Sequence, residues 1–226
     1  MESLLANPVY YALCTGDKHL NIGKGEVKYF NEQVSPFAGF DEDNRDGFQQ
    51  LRDQLTLNRS ILYATTKTIT TPGGWILTHF IPGIQFIHKH GAFTFHHLKQ
   101  IVPLSAADAE QMVALAKLTK PGPFNLRTLE FGHYHGIFVN KQLVAMAGQR
   151  LHAGYHTELS AVCTHPNHLG KGYAAALMEH QLNLILEHGQ QPFLHVRADN
   201  IRAINLYKRL GFEPSREMNF YFLKRN

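Results

Sequence analysis

The alternation of apolar and polar residues is clearest in the C-terminal half of the chain. Residues 155–163 alternate as a half-buried strand does, and residues 192–198 alternate again. Between them, residues 173–188 carry apolar side chains at helical spacing, and Gly189 follows as a C-terminal cap. Residues 201–210 predict a second helix. A strand, a crossover helix and a strand predict a parallel pair.

The sequence on both sides of this run predicts further helices and strands. A domain boundary is expected near residues 92–102, which divides the chain into an N-terminal α/β lobe, residues 1–95, and a C-terminal domain, residues 96–226. Ser105 and Asp108 have the spacing of a capping box. In chain order the predicted elements are helix 8–15, strand 25–30, helix 47–57, strands 61–65, 75–79 and 84–88, helix 106–118, a hairpin of 136–139 with 143–151, and a last strand 218–223.

A glycine-rich turn leads into the predicted helix 173–188. Gly170, Gly172 and Ala174 are small enough for the backbone to come close to a ligand. The first N–H groups of a helix have no partner inside the helix, and together with the helix dipole they attract phosphate. Lys171 adds a positive charge. The turn therefore predicts a pyrophosphate site.

Two other phosphate-binding motifs resemble this turn but fail in detail. In a P-loop the lysine follows the second glycine, whereas here it precedes it. Gly170, Gly172 and Ala175 match the dinucleotide pattern G-x-G-x-x-G/A. About 20 residues further on, where that pattern places an acidic residue for the ribose, the chain has Gln190 and Gln191. An ordinary loop before an ordinary helix is the remaining alternative, because glycine occurs in most loops.

The second helix carries the pattern A-D-N-x-x-A-x-x-x-Y-x-x-x-G-F. Asn200, Ala203 and Tyr207 fall within two turns of the helix start, and Gly211 ends the helix. Together with the glycine turn, this pattern resembles the acetyl-CoA site of the GNAT superfamily of N-acetyltransferases. The stretch from about Val102 to the C-terminus is similar to a GNAT domain. The resemblance implies a mixed α/β sheet flanked by helices, preceded here by a smaller α/β lobe that we hypothesise to be a degenerate half-GNAT.

The phosphate-loop motif of the superfamily is Q/R-x-x-G-x-G/A, and one position of it departs in this chain. The first position is Leu169 instead of Gln or Arg, which lowers the expected affinity for pyrophosphate, while the backbone amides of the loop are kept. Lys171 or His168 is expected to supply part of the missing polarity. By resemblance, the cofactor-binding residues are Val162, Cys163, Thr164, Leu169, Gly170, Lys171, Gly172, Tyr173, Ala174, Asn200 and Ala203.

The resemblance also implies catalytic roles. Backbone N–H groups of residues 162–164 would polarise the thioester carbonyl, and Tyr207 would protonate the departing thiolate as general acid. The attacking amine must lose a proton, because a lysine-like amine has a pKa of about 10.4. Glu158 is the candidate general base, acting directly or through a water, and His156 on the same predicted strand face is its competitor.

The acceptor pocket is expected at residues 124–134, with Arg127, Glu130 and Tyr134 as its polar residues. The expected function is acetyl-CoA-dependent transfer of an acetyl group to a primary amine, by direct attack of the amine on the thioester. The alternative is a catalytically weak coenzyme A-binding sensor or interaction module, which Leu169 favours and the intact tyrosine of the second helix disfavours. An acyltransferase that uses a longer acyl-CoA is a third hypothesis.

Composition limits the other classes of function. The 226 residues have a net charge of +4, and their Lys and Arg residues are scattered, which argues against a nucleic-acid partner. Cys14 and Cys163 make no disulfide framework. We see neither a signal peptide nor an apolar run of about 18 residues, so a cytoplasmic location without membrane contact is expected. The expected partners are a small-molecule or peptide amine and, as GNAT domains often pair, a second copy of the chain.

Fifteen histidines raise the question of a metal site. The local pairs are His96–His97, His133–His135 and His165–His168, and none has a cysteine or carboxylate at a recognised ligand spacing. We therefore expect no metal.

Overall fold

Eight strands form one sheet in the computed structural model, which describes residues 2–89 and 100–226. The strands are β1 Val27–Tyr29, β2 Ala38–Phe40, β3 Ser60–Thr65, β4 Trp75–His88, β5 Ile101–Pro103, β6 His135–Val139, β7 Gln142–Ala153, β8 His156–Thr164, β9 Gln191–Arg197 and β10 Phe212–Arg225. The α-helices are α1 Pro8–Cys14, α2 Gly47–Gln54, α3 Ala109–Thr119, α4 Tyr173–Glu187 and α5 Ile201–Arg209. Short 3-10 helices cover Glu2–Ala6, Lys18–Leu20, Ala106–Asp108, Thr128–Phe131 and Pro166–His168.

The sheet is mixed, in the order β3-β10-β4-β9-β8-β7-β6-β5, and β1 and β2 form a separate antiparallel pair. β8 and β9 run parallel, and the other neighbouring pairs of the large sheet are antiparallel. The predicted fold class, a mixed α/β sheet flanked by helices, is confirmed. None of the described helices is long and apolar enough to cross a membrane.

Strands from both sides of the predicted domain boundary share this sheet. β4, from the first 95 residues, lies between β9 and β10 and pairs with both. Most of the boundary region, residues 92–102, falls outside the described residues, and the division into two domains stays a prediction. β10 lies between β3 and β4 and pairs with both. The hypothesis of a degenerate half-GNAT stays a prediction.

The prediction of two separate strands, 75–79 and 84–88, is wrong, because β4 is continuous across Pro82 and Gly83. A proline fits inside a strand where its missing N–H is not needed. The Pro82 carbonyl accepts a hydrogen bond from the N–H of Ala198 at 3.0 Å. Gly83 leaves the space that the ring of Phe220 occupies. Both residues are therefore compatible with a continuous strand, although the sequence Pro-Gly is typical of a turn.

β8 and β9 separate soon after they meet. Their pairing covers only His156–Glu158 against Gln191–Phe193. Beyond this point β8 continues along β7 as far as Thr164, while β9 continues along β4 as far as Arg197. A wedge therefore opens between two parallel strands, and the edge of β8 that faces it has no neighbouring strand in the described sheet.

A β-bulge interrupts β8 beside this wedge. Cys163 pairs with Met146 and Ser160 with Gly148, so Ala161 and Val162 lie opposite one residue of β7. Ala161 has a φ of 54°, in the left-handed region. The regular alternation of side chains expected along residues 155–163 is therefore wrong after Ser160. Val162 packs with the α4 and α5 cluster, on the same side as Leu159, while Ala161 packs with the cluster on the α1 and α3 side.

Gly148 on β7 is needed for the packing of Tyr134. A Cβ at Gly148 would overlap the ring of Tyr134, whose side chain is buried. We expect Gly148→Ala to lower the free energy of unfolding by about 1–3 kcal/mol, the usual cost of overpacking. Urea unfolding measures this loss. Gly73→Ala is the control, because a Cβ at Gly73 meets nothing within 4 Å. Equal stabilities of the two variants would contradict the packing argument.

Candidate active site

The wedge holds a cavity of about 350 Å³ between β8, the turn before α4, and α5. Every residue predicted to bind the cofactor lines it, and so does Tyr207. The structure thus brings together two sequence motifs that are about 30 residues apart. His168, which was expected to supply polarity, also lines the cavity, together with four residues outside the predicted set, namely Ala175, Arg202, Leu206 and Arg209. The roles of all these residues stay predictions.

The turn before α4 presents backbone N–H groups to this cavity. Gly170 and Gly172 both have a φ of 77°, which favours glycine, and Gly172 is the N-cap of α4. The first helical bond of α4 runs from the Ala176 N–H to the Gly172 carbonyl at 3.0 Å. The N–H groups of Tyr173 and Ala174 precede this bond and lack a partner within the helix. The turn therefore has the geometry of an anion-binding helix N-terminus.

Positive side chains stand on two sides of the cavity. Lys171 lies in the turn, with its Nζ 3.4 Å from Nδ1 of His168. Arg202 and Arg209 lie on α5 and are both exposed. Residues seven positions apart share a helix face, so this spacing could have revealed the two arginines. Leu169 is 45% exposed and contributes only apolar surface to the loop.

Tyr207 lies on α5 with its ring between two phenylalanines. The ring centroids of Phe86 and Phe212 are 6.4 and 6.2 Å from that of Tyr207, in edge contacts. Burial, and secondarily the carboxylate of Glu158, raises the pKa of Tyr207 to about 12. Its hydroxyl is therefore protonated at neutral pH and able to donate. At the start of the same helix, the Asn200 side chain accepts a hydrogen bond from the Ala203 N–H at 3.2 Å and so caps the helix.

Glu158 is fully buried at the point where β8 and β9 separate. Its two carboxylate oxygens accept hydrogen bonds from Nε and Nη2 of Arg150, each at 2.9 Å. Nδ1 of His195 lies 2.9 Å from the same carboxylate. Burial alone would raise the pKa of Glu158, but Arg150 and His195 outweigh it and lower the pKa to about 2. The side chain is thus an ionised, weakly basic carboxylate inside the protein.

The proton on His195 is fixed by a second contact. Nε2 of His195 is 2.9 Å from Nε2 of Gln85, and the same amide nitrogen donates to the Leu5 carbonyl at 2.9 Å. An amide NH₂ group only donates, so Nε2 of His195 accepts and Nδ1–H donates to Glu158. The competing base His156 is buried, with its Nδ1 3.3 Å from the Ala153 carbonyl. Neither Glu158 nor His156 lines the wedge cavity.

A second, enclosed cavity lies on the other side of the β8 bulge. It has a volume of about 10 Å³, room for roughly one water molecule. Ser160 and Ala161 line it, whereas the next three residues of β8 line the wedge cavity. Arg150 and the predicted acceptor residue Tyr134 also line it. The hydroxyl of Tyr134 is buried without a hydrogen-bond partner, so a polar group that entered the cavity would meet an unsatisfied partner.

The structure does not bring Arg127 and Glu130 to this cavity. The two side chains bond each other on the protein surface, Nε to Oε1 at 2.5 Å and Nη2 to Oε2 at 3.0 Å. Their acceptor-binding role stays a prediction. No three histidine, cysteine or acidic side chains within residues 2–89 and 100–226 are placed to hold a metal ion. Of the histidines considered above, His96 and His97 lie outside the described residues.

Comparisons with known proteins agree with this architecture. The FR47-like protein family model matches residues 134–221. A crystal structure from Novosphingobium aromaticivorans, described as an acetyltransferase of the GNAT family, is 29% identical, with a TM-score of 0.92 over 99% of both chains. A GCN5-related N-acetyltransferase from Kribbella flavida is 18% identical, with a TM-score of 0.64 over 96% of this chain and 95% of its own, and shows the fold alone. No curated protein matches the sequence.

We predict that Glu158→Gln destabilises the fold by about 3 kcal/mol at neutral pH, because it leaves Arg150 buried without its counter-charge. The pKa of Glu158 falls on folding from 4.5 to about 2. Its ionised form therefore stabilises the fold above pH 4.5, and this contribution disappears as the pH falls to 2. Urea unfolding at a series of pH values measures both effects.

Glu130→Gln is the matched control, because its ion pair with Arg127 is exposed and screened by solvent, so its loss has little effect on stability. A loss for Glu158→Gln no larger than that of the control would show that the buried pair does not stabilise the fold.

Proposed function

Since the chain belongs to the GNAT superfamily, we propose that it is an acetyl-CoA-dependent N-acetyltransferase that acts on a primary amine. The observation that supports this most directly is the arrangement of two cavities on one strand. The larger has the glycine turn, the positive side chains and the free strand edge that a coenzyme A thioester needs. The smaller lies on the other side of the β8 bulge and is lined in part by Tyr134 and Arg150.

We assign acetyl-CoA to the wedge cavity. The N–H groups at the start of α4 and the charge of Lys171 would hold the pyrophosphate. Arg202 and Arg209 would add charge from α5 and offset the loss of polarity at Leu169. The pantetheine arm would run along β8, where alternate backbone groups face the wedge without a strand partner. The arm would take the place of that missing strand.

The proposed chemistry needs few side chains. The amine nitrogen attacks the thioester carbonyl carbon, a C–N bond forms, and the C–S bond breaks. Backbone N–H groups of residues 162–164 would stabilise the charge that develops on the carbonyl oxygen. Tyr207 would give its proton to the departing sulfur and recover one from solvent. Its pKa of about 12 keeps that proton in place over the working pH range.

We assign Glu158 a positioning role rather than direct removal of the amine proton. A lysine-like ammonium has a pKa of about 10.4, so transfer of its proton to a carboxylate of pKa about 2 would be uphill by about 11 kcal/mol. The amine would instead enter neutral or lose its proton to water. Glu158 would hold Arg150 and His195 in place beside the opening of the wedge.

The alternative is a coenzyme A-binding sensor or interaction module with weak chemistry. Leu169 favours it, because an exposed leucine takes the place of the polar residue of the phosphate loop. Both hypotheses place coenzyme A in the wedge cavity. They differ in whether the protein transfers an acetyl group to an amine at a useful rate.

Calorimetric titration with acetyl-CoA tests the cofactor assignment, with NAD as the negative control. We expect binding in the micromolar range, and about five- to tenfold weaker binding by Gly172→Ala. Alanine at a φ of 77° costs about 1 kcal/mol and disturbs the N–H groups of the turn. Gly25→Ala is the matched control, since Gly25 has a φ of 65° in open space away from the cavity. Failure of the unmodified protein to bind acetyl-CoA would overturn the proposed function.

Turnover tests the role of Tyr207. We expect Tyr207→Phe to lower kcat about 100-fold with a primary amine acceptor and to leave acetyl-CoA affinity unchanged, because only proton delivery is lost. Tyr173→Phe removes a hydroxyl from another residue that lines the same cavity and should keep full turnover. Equal turnover by Tyr207→Phe and the unmodified protein would refute the general-acid role. Acetyl-CoA binding without turnover on any amine would favour the sensor.

A further inference from the structure

A third cavity, of about 330 Å³, lies at the other end of α4 from the wedge. α4 has 15 residues and is therefore about 22 Å long. Its first turn lines the wedge cavity, and its last turn, with Leu184, Ile185 and His188, lines this one. The remaining walls come from the loop after α1, the segment before β6, and the ends of β7 and β8. The cavity is thus separate from the proposed acyl-transfer site.

A buried carboxylate orients one of the histidines in the wall. Asp17 is buried, and its two oxygens lie 3.0 Å from the backbone N and 2.6 Å from Nδ1 of His152. An ionised carboxylate only accepts, so Nδ1 of His152 carries a proton, and in the neutral tautomer of the ring Nε2 has the free lone pair. The loop is held close to β7, since the Gly16 N–H donates to the His152 carbonyl at 3.1 Å and a Cβ at Gly16 would overlap His152.

A second histidine has the same orientation. Nδ1 of His188 lies 2.6 Å from the carbonyl oxygen of Leu184 and therefore donates to it, so Nε2 is the lone-pair nitrogen of the neutral tautomer. The ring of His133 is 6.0 Å from that of His188. Burial, and then the nearby His152 and His188, lowers the pKa of His133, so it is neutral at neutral pH. The wall therefore offers several hydrogen-bond acceptors.

The surrounding charge favours a cation. The C-terminal end of a helix carries a partial negative charge, and the last turn of α4 contains no basic residue of its own. Asp17 adds a full negative charge. None of the described residues that line the cavity is a lysine or arginine. Acceptor atoms and negative charge are thus combined without a cation from the chain.

We propose that this cavity binds the ammonium group of a small primary amine. An ammonium group has three N–H donors, which suit the Nε2 atoms of His152 and His188, while Asp17 and the end of α4 balance its charge. A metal ion fits less well, because no three potential ligands among the described residues are placed around one point. The proposal does not depend on acyl transfer at the wedge.

Nitrogen-15 NMR of the histidine side chains tests the proposal, because it reports both the tautomer and the binding. The probe is ethylammonium chloride at slightly alkaline pH. Tetramethylammonium is the matched control, since it has the same charge and no N–H donor. We expect His152 and His188 to show the Nδ1–H tautomer and their Nε2 signals to move with ethylammonium alone. No histidine lines the small cavity beside Tyr134, so these signals are specific to this one.

Variants provide a second readout, by calorimetry with the same probe. Asp17→Asn should weaken ethylammonium binding about tenfold or more, the value of a hydrogen bond that involves a charged group. His188→Leu, whose side chain has no acceptor atom, should weaken it as well, whereas His79→Leu, at an exposed position on β4, should not. Circular dichroism of each variant identifies any loss of fold.

Three results would overturn the proposal. The histidine signals could stay unchanged at millimolar ethylammonium. They could move equally with both ammonium ions, which would mean that charge alone is sensed. They could move with zinc chloride and with neither ammonium ion, which would identify a metal site instead.

Discussion

The separation of β8 and β9 depends on the buried carboxylate of Glu158. It lies on the last residue of β8 that still pairs with β9, and it bonds side chains from the strands on either side, Arg150 of β7 and His195 of β9. Three strands are thus held together by one charge just before two of them part. Such a group is costly to bury unless its lone pairs are all satisfied. Three hydrogen bonds from Arg150 and His195 stabilise the carboxylate at the point of divergence.

The bulge of β8 converts this divergence into two separate compartments. Without the extra residue, successive side chains of β8 would alternate from one sheet face to the other along its whole length. With it, Ser160 and Ala161 both line the small cavity, and the next three residues of β8 line the wedge cavity. The left-handed conformation of Ala161 is the local cost of this arrangement. The backbone, more than any side chain, therefore organises the candidate site.

The C-terminal half of the fold could be predicted from local patterns, since α4, α5 and the parallel pair follow from periodicity, a glycine turn and a cap. The residues of the wedge cavity could be predicted for the same reason, as two short motifs contain most of them. The bulge could not, because no residue type marks Ala161. Long-range pairings such as Glu158 with Arg150, or the place of β4 in the sheet, leave no local pattern. Arg127 and Glu130 have side chains suited to binding an acceptor, but they bond each other on the protein surface.

The position of β10 has a consequence for synthesis on the ribosome. β3 and β4 do not pair with each other, because β10 lies between them and pairs with both. The edges of these two early strands that face β10 therefore lack partners until β10 has been made. Contacts that span most of the chain slow folding, because loop closure precedes any gain in contacts. Until β10 is made, the nascent chain would thus expose the apolar edges of two strands, and chaperones protect such segments.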